Sequence, residues 1–74
     1  MSFYQSQIRN SPYAQAALAV TTKSGRYLRG VELQDCANYL FGKDAERFEA
    51  KGKRMGYDHL KQEAVVWARR NVDK

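Results

Sequence analysis

A single cysteine, Cys36, stands in this chain of 74 residues. No internal disulfide can form, and a reducing compartment is expected. No apolar run approaches the length of a membrane span, and no apolar signal segment follows Met1. The chain is therefore expected to be cytoplasmic, without a membrane partner. It has no internal repeat, no low-complexity tract and no interdomain linker. His59 is the sole histidine. The residues that usually hold a metal or build a nucleophile–base pair are thus nearly missing, and neither a cofactor nor a metal site is expected. Gly25 and Gly30 are not followed by the Lys-Ser/Thr and helix that a phosphate loop needs.

The chain is rich in basic and aromatic residues. The net charge is +5, and the pI is about 9.6. A pI above about 9 is one footprint of a nucleic-acid binder. Excess Lys and Arg also simply keep a small protein soluble. Acidic residues are interspersed, so there is no polybasic tail. Five Tyr, three Phe and one Trp are many for this length. They supply core, or an interaction surface with polar tips. A domain of this size buries only about 60% of its unfolded surface, so its core is marginal. Dimerisation, or a partner in trans, would relieve that shortage.

The pattern predicts one α+β domain over residues 11–74, preceded by a polar N-terminal arm over 1–10 with Phe3, Tyr4 and Ile8 as anchors. Ser11-Pro12 suits the start of an element, with Ser as N-cap and Pro at the first helical position. A β-hairpin is expected over about 15–33. Val20-Thr21-Thr22 favours extended chain, Lys23-Ser24-Gly25 forms a turn, and Arg26–Val31 returns. The rival is an Ala-rich helix from Pro12 to Lys23. The hairpin would pack against two or three helices. Leu33, Ala37, Leu40 and Phe41 give the first, ended by Gly42. Asp44 caps the second, with Ala45, Phe48 and Gly52 on one side. Asp58 caps the third, where Leu60, Ala64, Trp67 and Ala68 follow helical spacing and Arg69 and Arg70 sit in the last turn. Ala64-Val65-Val66-Trp67 also reads as a short buried strand.

The order Ser11-Pro12-Tyr13, Ser24-Gly25-Arg26, Gly30, Asn38-Tyr39, Ala45-Glu46-Arg47, Gly56-Tyr57, Ala64-Val65-Val66 resembles the N-terminal half of the cytidine deaminase family. The resemblance spans about three quarters of the chain in pieces of two or three residues. It implies a strand–turn–strand segment, a helix starting at Asp44 and a strand at Ala64-Val65-Val66. The family's zinc is held by one ligand at that helix start and two later cysteines, with a Glu as proton shuttle. Here the ligand position is Asp44, the shuttle position is Glu46, and the later cysteine pair is absent. In the nucleoside-binding Asn-x-Glu pattern, Glu32 and Gln34 take the two places. Activated water needs about three protein ligands on zinc. The resemblance therefore implies a degenerate domain, without the chemistry.

Residue by residue, Asp44 and Glu46 read as helix first-turn acids, and Cys36 as a small buried apolar residue. The candidate binding residues are basic and aromatic. Arg26 and Arg29 lie with Tyr27 on the expected hairpin, and Lys51, Lys53 and Arg54 form a run followed by Tyr57. Arg can pair with phosphate or carboxylate, and Tyr can stack on a base or anchor a protein interface. A helix-turn-helix over 33–54 is disfavoured, because Asp44, Glu46 and Glu49 would face phosphates. The expected function is a small non-enzymatic binding or inhibitory domain with a protein partner, and a homodimer fits the small core. The alternatives are a basic nucleic-acid-binding accessory protein, and a deaminase-like domain that works only with another chain.

Overall fold

The computed structural model describes residues 11–73. The arm expected over 1–10 lies outside the described residues. The fold is all-helical: α1 (Pro12–Leu18), α2 (Val31–Lys51) and α3 (Tyr57–Asn71), each packed against the other two. Among the described residues there is no strand, only one antiparallel bridge between Thr21 and Tyr27. The expected α+β class and the 15–33 hairpin are therefore corrected.

The reason lies at both ends of the segment. Ser11 is extended, and its Oγ accepts the Ala14 N–H at 3.1 Å. Pro12 opens the first turn, so the cap and the alanines favour helix before any β-branched residue is reached. The rival helix is right in kind but stops at Leu18, five residues before Lys23. Val20-Thr21-Thr22 then runs extended, as its branching favours. The turn falls where expected. The Thr22 N–H donates to Arg26 O at 2.8 Å, the Gly25 N–H donates to Thr22 O at 2.9 Å, and Gly25 takes φ +92°. The arms do not zip further, because a lone two-stranded hairpin is marginal in water. Val20 and Leu28 instead bury their side chains in the core from either side of the turn.

Gly42 does not end a helix. α2 runs through it for 21 residues. A mid-helix Gly costs about 1 kcal/mol relative to Ala. Eleven residues of the same helix before it and nine after it, which pack against α1 and α3, outweigh that. The helix ends at Gly52, which takes the left-handed conformation (φ +70°) and donates to Phe48 O at 2.8 Å. Asp44 is thus a mid-helix residue, neither a cap nor a first-turn acid. The third helix matches its pattern: Leu60, Ala64 and Ala68 are buried, and Trp67 packs against the core. It starts from Gly56, with Asp58 in the first turn rather than at the cap. Residues 64–67 are helical, so neither the strand alternative nor the strand implied by the deaminase resemblance is present there.

Small residues fill the interior. Among the described residues, six of the eleven buried apolar ones are alanines: Ala14, Ala16, Ala17, Ala37, Ala64 and Ala68. Leu40 and Leu60 are the largest wholly buried side chains. Alanine lets helices approach closely, yet each one withdraws little apolar surface from water. The periphery is tied by polar bonds. Arg26 donates twice to Glu32, at 2.8 Å each. Arg69 Nη1 donates to Asp73 Oδ2 at 2.8 Å and to Thr21 O at 3.3 Å. Asp73 also accepts the Lys23 N–H. The turn and the end of α3 therefore close on each other.

Candidate functional site

The helical register of α2 places Asp44 one turn beyond the buried Leu40, on the side that meets α1. Its side chain is buried, with 4% exposure. Tyr13 of α1 donates its hydroxyl to Oδ2 at 2.5 Å, and the Met55 N–H donates to Oδ1 at 2.8 Å. Arg54 Nη1 stands 3.7 Å from Oδ2. These bonds, the Tyr13 hydroxyl foremost, hold the carboxyl below its usual pKa. The Tyr13 phenol is raised, by burial first and by the Asp44 bond second. One carboxylate thus joins α1, α2 and the connection to α3.

That junction fixes a row of rings around it. Tyr13 meets Phe41 edge to face, with centroids 5.4 Å apart and planes at 83°. The Arg54 guanidinium lies over the Phe48 ring at 5.4 Å. Phe41, Ala45 and Phe48 follow i, i+4, i+7 along one stripe of α2. Together with Tyr13, Asp44, Glu49 and Arg54 they line a groove of about 210 Å³. Phe41 is 60% exposed and Phe48 is 50% exposed. The sequence reading set Phe41 in a core-facing pattern; the structure turns it outward.

The predicted binding residues divide between two places. Arg26, Tyr27 and Arg29 precede α2, and Lys51, Lys53 and Arg54 follow or end it. A helix of that length holds the two sets roughly 30 Å apart. Arg26 is engaged with Glu32, while Arg29 and Tyr27 are exposed in the loop. Lys53 is exposed between α2 and α3. Tyr57 opens α3, with its hydroxyl donating to Gln15 O at 3.4 Å and the Lys61 ammonium 5.5 Å from its ring. Of the predicted set, only Arg54 belongs to the ring groove. Tyr13, Phe41, Asp44 and Phe48 were missed as site residues. Their signal was the Phe41–Phe48 spacing, which a helix break at Gly42 conceals.

The opposite side of α2 faces α3 and is charged. Lys43, Arg47 and Lys51, with Glu46, Met55, His59 and Glu63, line a cleft of about 300 Å³. Arg47 Nη1 lies 3.5 Å from His59 Nδ1. A guanidinium offers only donors, so a hydrogen bond in this contact is accepted by Nδ1. Cys36 is wholly buried, and burial pushes its thiol up to about 12. A thiol held protonated is a poor nucleophile. Among the described residues, no three His, Cys, Asp or Glu side chains gather as a metal site would require. No described helix is long and apolar enough to cross a membrane.

No protein-family model matches the chain, and comparison with curated proteins and with solved structures likewise finds no match.

Proposed function

We propose that the chain is a small binding module that works through a protein partner, and that the partner's docking element enters the groove of Tyr13, Phe41 and Phe48. The observation that carries this reading is an inversion of size. Alanines fill the interior, while two phenylalanines of α2 keep half or more of their surface in water. A core so short of large side chains would gain from burying those rings, at about 1.5–3 kcal/mol for a full Phe. The rings are also held in place rather than loose, by the Tyr13 and Arg54 contacts. Pre-ordered aromatic and Arg side chains are the usual anchors of protein interfaces.

The groove also suggests what its partner offers. Arg54 stands at the rim, 73% exposed in its side chain, with only a long contact to Asp44. Lys51 and Lys53 follow the same helix end. An amphipathic partner helix with apolar anchors and a neighbouring carboxylate meets both features. The nucleic-acid reading draws less support, since its two basic sets stand at opposite ends of α2.

The test begins with affinity capture from source cells, comparing the natural chain with the Phe41→Asp/Phe48→Asp pair. A captured protein is then purified and titrated directly. Loss of at least tenfold in affinity with the helical circular dichroism unchanged supports the groove. Equal affinity in the pair removes it as the docking site. Sedimentation across a wide concentration range identifies the case in which the partner is a second copy.

A further inference from the structure

We propose, on the reading of the ring groove as a docking site, that its occupant is a second copy of this chain, with the two α2 helices packed antiparallel. Phe41, Ala45, Phe48 and Gly52 follow one another at steps of four, three and four residues. That is the spacing of a coiled-coil seam. All four are exposed, and a Cβ added at Gly52 meets nothing within 4 Å, so the space above it is open. The seam alternates ring and small residue. Before Phe41 the same steps reach Asn38 and Gln34, polar and exposed, so its apolar part lies in the C-terminal half of α2.

Such a row is its own complement when reversed. In an antiparallel pair Phe48 faces Ala45 of the partner subunit, and Phe41 faces the partner subunit's Gly52. The two-fold axis repeats each contact. Rings set against small residues let two helix surfaces interdigitate without voids. A parallel pair would set ring on ring and small residue on small residue, which leaves gaps between the rings. One helix thus carries both halves of the fit.

The rim is self-complementary as well. Glu49 and Arg54 both line the groove. Glu49 forms no ion pair among the described residues, and the one ion pair of Arg54, with Asp44, is 3.7 Å long. Reversing the helix brings the partner subunit's Glu49 level with Asp44, beside which the Arg54 guanidinium stands. An acid and a base on each rim then meet their opposites twice. α2 is itself the amphipathic helix, with apolar anchors and a neighbouring carboxylate, that the groove asks for. Pairing withdraws both sets of rings from water, and closed two-fold dimers are the commonest soluble oligomers.

The experiment is sedimentation equilibrium of the whole chain across a wide concentration range, with circular dichroism of each variant as the folding control. The natural chain should approach twice its 8.5 kDa mass as concentration rises. Phe41→Asp/Phe48→Asp should stay monomeric with its helical signal unchanged. Ala45→Phe, at an exposed position, sets ring on ring and should raise the dimer dissociation constant roughly tenfold, the scale of overpacking a fitted contact. Ala45→Phe/Phe48→Ala exchanges ring and small residue and should restore the dimer. Association through apolar surface alone gives the opposite order, with Ala45→Phe the tightest. Four results would overturn the proposal: a natural chain that is monomeric at every concentration, a dimer that survives the two aspartates, a tighter Ala45→Phe, or an exchange that restores nothing. A monomeric natural chain that captures a different protein through the same rings removes the second copy and leaves the groove as a docking site. If the dimer and any captured protein are both untouched by the aspartates, groove and occupant fall together.

Discussion

The two sides of α2 solve opposite problems with the same helix. Toward α1, the buried carboxylate has its partners while two aromatic rings stay exposed. Asp44 is matched by Tyr13 and Met55, while Phe41 and Phe48 stand in water. Toward α3, the apolar groups are matched, and charges of both signs share the cleft above them. Leu40, Leu60 and Ala64 close the core there, while Lys43, Arg47 and Lys51 line a cleft above it with Glu46 and Glu63. Exposed rings on one flank and mixed charge on the other thus border one packed seam. The lesson is that a small fold can close its core and still leave two surfaces of different chemistry.

The sharpest way to break that contrast is Asp44→Ala. It strips the acceptor from a partly buried hydroxyl and a partly buried amide, and should cost about 2–3 kcal/mol. A domain this small has only a few kcal/mol to lose. Urea denaturation should show a folded baseline that is short or missing, while Asp44→Asn, which keeps one acceptor oxygen, loses less.

Filling the packed seam is the next largest effect. Ala64 is wholly buried, at 0% exposure. Ala64→Leu should destabilise by about 2 kcal/mol through overpacking. A rise in the urea midpoint would mean that the seam has slack.

The pH window follows from the Tyr13–Asp44 pair. Asp44 titrates below its unfolded value of 3.8 when folded. Its contribution is present above that value and is lost as pH falls through the folded pKa. Tyr13 titrates above its unfolded value of 10.0 when folded. Its contribution is complete below that value and is lost as pH rises through the folded pKa. Thermal midpoints across pH 2–7 should fall on the acid side, and Asp44→Asn should flatten that fall.

The smallest effects sharpen the comparison from the other direction. Gly42 lies on the outer face, and a Cβ added there meets nothing within 4 Å. Gly42→Ala should therefore stabilise by about 0.5–1 kcal/mol. Arg47→Met removes an unmatched buried donor, so its stability should stay within about 0.5 kcal/mol of the natural chain. A loss as large as that of Asp44→Ala would show that the two sides are not different in kind.

Much of the fold was legible where periodicity ran uninterrupted. Leu60, Ala64 and Ala68 at four-residue intervals gave α3 its buried face, and Ser11-Pro12 marked the start of α1 correctly. The turn at Lys23–Gly25 was also legible, because positive φ at a glycine is a local property. Sequence reasoning lost its way where tertiary packing decides. Val20 and Leu28 alternate like strand residues, but they plug a helical core instead of pairing. Gly42 looks like a stop because its cost is visible, while the gain from a continuous α2 is spread over its flanks. The ring groove vanished with that break. Phe41 and Phe48 share a stripe only on an unbroken helix, and nothing local says that Asp44 beside them is matched from both α1 and Met55. In the sequence the candidate basic residues fall in two sets, around Arg26–Arg29 and Lys51–Arg54, whereas the cleft draws Lys43, Arg47 and Lys51 from one helix at four-residue steps.

The bonds of Asp73 bear on how the molecule moves. This carboxylate accepts the Lys23 N–H and holds Arg69, whose guanidinium also reaches Thr21 O. Terminal turns of helices ordinarily fray fast and alone, and surface loops fluctuate on their own schedule. Here the last turn of α3 and the Thr21–Lys23 segment share their bonds, so neither opens without releasing the other. Hydrogen exchange of their amides is therefore expected to proceed at a common rate, although about fifty residues of chain separate them.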